Sequence, residues 1–454
     1  MNELVTFGRR SAYRSTTKAF TMISQIIFAL LFFVAVAFFT FNVKKIIRNI
    51  GLGREEKRND RPAERWRNVL LVALGQKKMF KRPIPALLHL FVYAGFIIIN
   101  IEMLEIVIDG LFGTHRVFAW MGAFYSFLIA TFEYLAFAVL LGCLIFLIRR
   151  NIMRIRRFFG VEMTPWPKTD ANLILITEIL LMTAFLLMNA ADHKLQLLGA
   201  PHYVEAGSFP VSTWLVGLLP ADVSSLTAIE RTAWWCHIIG VLAFLNYLPY
   251  SKHFHIILAF PNTYYANLEP KGKFQTMDSV TNEVKAMLDP TYTPVTSTES
   301  LRFGAKDISD LTWKSLMDAY TCTECGRCTA VCPANITGKL LSPRKIMMDT
   351  RDRVVEVGKN VDKNGSFQED GKNLLDDYIS REEIWACTSC NACVEACPVT
   401  IDPLKIIMEL RQYAVMEESK APTPINAMFG NIENNGAPWK YAQADRANWT
   451  GLNE

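Results

Sequence analysis

The stretch Cys322-Thr323-Glu324-Cys325-Gly326-Arg327-Cys328-Thr329-Ala330-Val331-Cys332-Pro333 has a counterpart in Cys387-Thr388-Ser389-Cys390-Asn391-Ala392-Cys393-Val394-Glu395-Ala396-Cys397-Pro398. Both read Cys-x-x-Cys-x-x-Cys-x-x-x-Cys-Pro, and together they use eight of the ten cysteines in the 454-residue chain. Three thiolates at this spacing wrap one corner of an iron–sulfur cubane, while the fourth, followed by proline, points away to a second cluster. Zinc also binds Cys-x-x-Cys pairs, but it does not require four thiols in a fixed 2-2-3 spacing. A disulfide framework fits worse, because disulfides belong to oxidising compartments and the topology below puts these thiols inside the cell. The ladders therefore predict two 4Fe–4S clusters with crossed ligation. Cys322, Cys325, Cys328 and Cys397 hold one; Cys387, Cys390, Cys393 and Cys332 hold the other.

Upstream, the composition changes. The chain is 51% hydrophobic and only 20% charged, and its apolar residues cluster in the first 260 or so positions. Runs from Phe20 to Phe41, Ile84 to Ile108, Phe124 to Ile148, Leu173 to Met188 and Ala233 to Phe260 each approach the ~20 residues a helix needs to cross a bilayer. The first is too long for a signal-peptide core and has no small-residue cleavage site, so it reads as a retained helix. Basic residues crowd Lys44 to Arg82 and recur at Arg149, Arg150, Arg154, Arg156 and Arg157, whereas the other two loops hold only Arg116 and Lys194. By the positive-inside rule the two basic loops are cytoplasmic. Five crossings then put the N-terminus outside and everything after Phe260 in the cytoplasm, against the milder pull of Arg9, Arg10, Arg14 and Lys18. The net charge of +5 follows from this topology and does not indicate nucleic acid binding.

Histidines inside a membrane span need a reason. His89 lies near the cytoplasmic end of the second span. His237 and His255, 18 residues apart, would share one face of a straight fifth helix, about 27 Å apart in rise. A bis-histidine haem needs imidazoles from two helices at one depth, which pairs His89 with His255. Pro249 interrupts that helix, so a kink could bring His253 into phase instead. On the outer side His237 faces Ile99, Asn100 and Glu102, and its only histidine partner by topology is His193. A second haem is left open there. Glu102, Glu105, Glu133 and Glu178, carboxylates within spans, are candidates for proton handling, quinone contact or helix–helix hydrogen bonds. Cys143 and Cys236 read as small core residues.

The spans with Lys81-Arg82-Pro83, His89, Gly95, and the stretch Trp234-Trp235-Cys236-His237 to Pro249-Tyr250-Ser251-Lys252-His253-Phe254-His255 resemble the cytochrome b subunits of respiratory nitrate reductase and membrane-bound heterodisulfide reductase. The ladders, with Thr337-Gly338-Lys339 and Ser342-Pro343, are similar to the helical ferredoxin domain of heterodisulfide reductase iron–sulfur subunits. The resemblance implies an all-α protein: a five-helix transmembrane cytochrome b bundle followed by a cytoplasmic α-helical ferredoxin domain. A helical ferredoxin accommodates the 54 residues between Cys332 and Cys387. The nitrate reductase pattern has two histidines in its second span; this chain has His89 alone.

The expected organisation is a membrane domain over residues 1–262, a connector of loops and short helices over 263–306, the ferredoxin-like domain over 307–418, and a tail over 419–454. Leu341 to Val357 and Leu374 to Trp385 read as helices, with caps at Ser342-Pro343 and Ser380-x-x-Glu383, and Lys359 to Lys372 as a loop. The tail, with Asn431 to Trp439, Arg446 and Trp449, is similar to the linker before cysteine-rich CCG domains in single-chain relatives. That implies a separate CCG-domain iron–sulfur subunit docked on it.

No dinucleotide fingerprint, phosphate-cradling loop or nucleophile triad is visible. The function expected is a subunit of a quinone-linked, heterodisulfide reductase-like oxidoreductase in the inner (cytoplasmic) membrane. Its cofactors would be two 4Fe–4S clusters and haem b, its substrate a quinone near Asn100, Glu102 and His237, and its soluble partner a flavoprotein. The alternative is a non-catalytic membrane anchor and electron relay in a larger respiratory or secretion-linked assembly. Reduction of the haem by a quinol analogue separates the two.

Overall fold

A computed structural model of the chain describes residues 2–153, 155–274, 276–293 and 302–453. Arg154 and the connector stretch 294–301 lie outside the described residues, as do the side chains of Arg9, Arg10, Arg14 and Lys18. Every regular element among the described residues is helical. Five of these are long and apolar enough to cross a membrane: α1 (Asn2–Ile50), α2 (Pro83–Phe112), α3 (Ala123–Asn151), α4 (Trp166–Leu197) and α5 (Val223–Tyr247) among the described residues. Large apolar side chains such as Ile26, Leu30, Phe33 and Leu180 stay exposed on their outer faces, as lipid-facing helices require. Inside, Phe28, Ile129, Phe132, Phe185 and Trp234 form one core. Small residues let the helices approach closely: a Cβ on Gly95 would stand 2.5 Å from Val139, and one on Gly240 2.7 Å from Leu181.

The fifth apolar run is not one straight helix. Pro249 has no N–H to continue the ladder, and the chain leaves helical geometry at Ser251 (φ −113°, ψ 150°) before α6 (His255–Tyr264) begins. Asp170, buried on α4, organises this break. It accepts from Tyr247 Oη (2.5 Å), Ser251 Oγ (2.6 Å) and the Lys252 backbone N–H (3.1 Å). The single shared face expected for His237 and His255 is therefore replaced by two helices with a corner between them.

After the connector, which carries α7 (Asp278–Leu288), come α8 (Trp313–Thr321), α9 (Pro343–Asn364), α10 (Arg381–Trp385), α11 (Ala392–Ala396), α12 (Pro403–Met416) and α13 (Thr423–Asn435). Ser342 caps α9, with Pro343 at its first turn, and Ser380 and Glu383 form the capping box of α10. Two boundaries differ from expectation. Helix α9 runs through Asn364 before Gly365 ends it in the left-handed region (φ 82°), because buried Val357 and Gly358 keep its inner face packed while its polar residues face water. Leu374 to Trp385 is not one helix: Leu375 is extended and Asp376 left-handed, so helix resumes only at the Ser380 box.

The ladder domain is seated directly on the helix ends. Its core of Leu311, Leu316, Ile346, Val354, Ile384, Ile406 and Leu410 is continuous with Ile46 of α1, Leu248, Phe254 and Leu258. The loop after α1 pairs with it as a short parallel bridge, Arg54 N to Leu311 O (2.7 Å) and Trp313 N to Arg54 O (3.0 Å). Gly53 is required there, since a Cβ would stand 2.6 Å from the Trp313 nitrogen. Lys45 and Arg48 pair with Asp362, and Asn49 donates to Tyr320 Oη (2.9 Å).

Candidate functional site

Both ladders trace the same backbone path. The third and fifth residues of each, Glu324 and Gly326 in the first, Ser389 and Asn391 in the second, all take positive φ (54°, 68°, 56° and 61°). Alternation of right- and left-handed residues turns successive N–H groups inward, a concavity that suits an anion such as an iron–sulfur core. Gly326 has a second reason to be glycine: a Cβ would stand 2.6 Å from Arg344 Nη1. Backbone N–H groups also reach sulfur, Ile401 N to Cys397 Sγ (3.3 Å) and Ser389 N to Cys387 Sγ (3.4 Å).

A small cavity is lined by Cys322, Cys325 and Cys328 of the first ladder and by Cys397 of the second. This brings the first expected ligand set together. In the second, Cys332 stands close enough to Cys387 and Cys393 to act on both thiols, and Cys390 acts on Cys387. All eight thiols are free of disulfides. Burial pushes the Cys322 thiol up to about 12 and Cys397 to about 11, so without an electrophile to bind they stay protonated. Among the described residues no three His, Cys, Asp or Glu groups converge on a single metal ion. The donor set fits cubanes: four sulfurs around a wide centre, backed by N–H groups.

Cations surround the first set. Arg344, 1% exposed, donates to Glu162 (2.6 Å) and to the Arg157 carbonyl (2.5 Å). Lys78 donates to the Cys397 carbonyl (3.1 Å). Glu324, inside the ladder, binds Arg351 (2.7 Å) and also Lys252 at the α5–α6 corner. Lys252 in turn donates to the Pro167 carbonyl (2.6 Å), tying the corner, α4 and the ladder together.

From this ladder a cavity of about 450 Å³ runs into the helix bundle, within the ~300–1,000 Å³ usual for cofactor sites. Its wall includes Cys325, Arg327, Pro398 and Val399 at the ladder end, then His253, His255 and His89, and deeper in His237, Asn100 and Glu178. His255 Nδ1 lies 3.0 Å from the Lys252 carbonyl, and His237 Nδ1 3.0 Å from that of Leu181. Tying one ring nitrogen to a carbonyl fixes the tautomer and leaves Nε2 for a ligand, the arrangement metal-binding histidines use. His89 Nδ1 is buried with no hydrogen-bond partner among the described residues. His253 and His255 rings are 5.6 Å apart, and both line the cavity that His89 lines. These imidazoles, in a cavity whose middle is apolar (Val92, Phe96, Ile174, Leu181, Val241) and whose ladder end is basic, fit a haem.

Two expected residues lie elsewhere. His193 packs edge-on to Phe209 (4.9 Å) outside the cavity, and Glu102, 2% exposed, is not part of the cavity wall and has Oε2 unpartnered among the described residues. Glu102 adjoins a buried polar network at the end of the bundle away from the ladders. There Arg116 binds Asp192 (2.6 Å), Asn189 (3.0 Å) and Tyr125 (3.0 Å), and Tyr125 donates to Glu105 (2.7 Å). Glu133 accepts from the Val211 and Ser212 backbone N–H groups (2.9 and 3.1 Å). Sequence reasoning missed Asp170, Lys252 and Arg116: each is a single polar residue whose partners are distant in the chain, and no spacing rule reaches them.

The fold and the ladders define a helical protein with five candidate membrane spans and a 4Fe–4S dicluster domain of eight cysteines; residues 321–401 match the 4Fe-4S dicluster domain family. Over 463 aligned positions the chain is 30% identical to the probable iron-sulfur-binding oxidoreductase FadF of Bacillus subtilis (strain 168), covering 95% of this chain and 61% of that protein. It is 25% identical to the EtfAB:quinone oxidoreductase of Syntrophomonas wolfei over 87% of this chain and 55% of that one. A shorter match, 34% identical over 23% of this chain and 52% of the relative, is to a subunit of the ferredoxin/F(420)H(2)-dependent CoB-CoM heterodisulfide reductase of Methanosarcina acetivorans. The chain thus spans somewhat over half the length of the two relatives it matches most extensively. No solved structure matches it significantly.

Proposed function

We propose that this chain carries electrons between a soluble flavoprotein and a membrane quinone, as the membrane-bound subunit of a quinone-linked oxidoreductase. The carrying observation is the cavity that opens on Cys325 at one end and reaches His237 and Asn100 at the other. In this reading Cys322, Cys325, Cys328 and Cys397 hold one 4Fe–4S cluster, and Cys387, Cys390, Cys393 and Cys332 the other. His89 and His255 hold a b-type haem, with His253 as the alternative to His255. A haem at that position supplies a one-electron carrier between the clusters and a quinone that takes two electrons and two protons. Asn100, His237 and Glu178, all in the cavity wall, are the groups available to a quinone carbonyl. Glu102, buried outside that wall, would hold a proton rather than touch the ring. A second haem at His237 would need a partner other than His193, which lies outside the cavity.

The basic loops on the ladder side support a cytoplasmic location for the dicluster domain. The relative named as an EtfAB:quinone oxidoreductase supports an electron-transfer flavoprotein as the soluble partner. Helix α13 buries none of its residues and leaves Phe429 and Ile432 exposed, with Trp439 and Trp449 beyond, which supports docking of a CCG-domain subunit on residues 419–454.

The test uses the full chain purified anaerobically in detergent. About eight non-haem irons per chain are expected, and Cys397→Ser should abolish the same electron paramagnetic resonance signal as Cys322→Ser, Cys332→Ser the same as Cys387→Ser. A quinol analogue should reduce the haem, and Asn100→Leu should slow that step with cofactors intact. Zinc in place of iron removes the cluster assignment. A haem that no quinol reduces leaves the chain an anchor and relay whose quinone site belongs to another subunit.

A further inference from the structure

At the ladder end of the cavity the wall carries four guanidinium groups, those of Arg149, Arg150, Arg157 and Arg327. The protein satisfies only some of their donors. Among the described residues, Arg157 Nε and Nη1 and Arg150 Nε are buried without a hydrogen-bond partner. Arg327 is 5% exposed, and among the described residues its hydrogen bond is a long one, 3.4 Å from Nη1 to the Lys78 carbonyl. One ring holds two of them: Arg150 and Arg157 lie over Phe158 at 5.1 and 4.9 Å from its centroid.

Nearby carboxylates are already engaged. Glu324 is bound by Lys252 and Arg351, and Asp170 by Tyr247, Ser251 and the Lys252 backbone. Glu178 is in the same cavity but eight residues beyond Asp170 along α4, about 12 Å deeper. A buried guanidinium donor left unpaired is costly, and several facing one another are more so. Burial pulls Arg157 down to about 10, and Arg82, Arg327 and Arg149 push the same way. Donors placed in this way suit an anion.

The compartment these arginines border is the one His89, His253 and His255 line. A single molecule satisfies both sets of groups if it carries a metal for the imidazoles and carboxylates along one edge. We propose that Arg157, Arg150 and Arg327 bind the two propionate carboxylates of the haem, so that its carboxylate edge faces the first cysteine ladder. This rests on the haem reading above. Arg157 and Arg327 also stand close enough to Cys325 to act on it, so the same cations lie between the propionates and the first cluster and offset charge on both.

The experiment compares haem b with its dimethyl ester, which keeps the iron and loses both charges. Full-length chain from haem-depleted cells, with clusters intact, is titrated with each and followed by Soret absorbance. Wild-type chain should bind haem ~10–100-fold more tightly than the ester, the equivalent of one or two charge-assisted hydrogen bonds. Arg157→Leu should weaken haem and leave the ester nearly unchanged, collapsing the ratio, and Arg157→Lys should restore part of it. Equal affinity for haem and ester in the wild type overturns the proposal without any variant, and is the result expected if a phosphate or lipid headgroup occupies the arginines instead. Binding of neither ligand overturns it too, and overturns the haem reading with it.

Discussion

Lys252→Met tests whether the α5–α6 corner is latched to the first ladder. Lys252 and Glu324 are 8% and 2% exposed at their side chains, so the pair is desolvated. Breaking a buried ion pair by removing one partner costs roughly 3–5 kcal/mol, because the other charge is stranded. Here the stranding is partial: Glu324 keeps Arg351 at 2.7 Å, and Asp170, 3.8 Å from the lysine, keeps its own three donors. The lower end, about 3 kcal/mol, is expected, close to a hundredfold in the equilibrium between seated and unseated ladder. Cluster loss needs the thiols exposed, so visible absorbance should bleach ~100-fold faster under an iron chelator, and amide exchange in residues 322–328 should rise by a similar factor. Lys252→Arg keeps the charge and should sit between. Bleaching and exchange within about threefold of wild type in Lys252→Met would show that the corner and ladder are held by the apolar core alone, and the latch would be discarded.

Gly326→Ala puts a methyl group 2.6 Å from Arg344 Nη1 at a left-handed position and should cost ~1–3 kcal/mol, read as lower iron content and a lower melting temperature; unchanged iron content contradicts the nest geometry. Arg353, fully buried between Asp307 (2.7 Å) and Asp370 (2.6 Å), closes the start of the domain onto the loop after α9. Arg353→Met should cost roughly 3–5 kcal/mol in chemical unfolding, with part regained when both aspartates become asparagine. Burial alone would raise Glu56, but Lys405 (3.0 Å) and Arg58 hold its carboxyl at about 2, below its ordinary 4.5. Its contribution is therefore full above about pH 5 and fades as pH falls toward 2, so the stability gap between wild type and Glu56→Gln should close over that window; a gap independent of pH refutes the assignment.

What the sequence made legible were features with a fixed period or spacing. Apolar runs of span length located the five helices, because a bilayer demands a minimum length. The 2-2-3 cysteine spacing located the thiols, and the proline after the fourth turned Cys397 toward the first set. The corner at Pro249 was visible only as an interruption; where His253 and His255 went afterward depended on Asp170, some eighty residues earlier. Arg149, Arg150 and Arg157 carry a strong signal for sidedness, and that signal hid a further property of two of them: Arg150 Nε and Arg157 Nε and Nη1 are buried without a partner among the described residues. Glu102 and Asn100, two residues apart on α2, were read as neighbours of one ligand. A helix turns about 200° over two residues, and only Asn100 reaches the cavity.

The seating of the ladder domain on α1 and its following loop bears on how such a protein can be divided among genes. Among the described residues, Arg54, Asn49, Glu56 and the shared core position the two halves, and the contacts given above for them are made outside 276–293. A chain cut in that stretch into two polypeptides keeps each of them, so its halves should reassociate when made separately. Fusion and fission at this point then alter the number of subunits and the effective concentration of the two halves, while the route between cavity and ladders keeps its geometry.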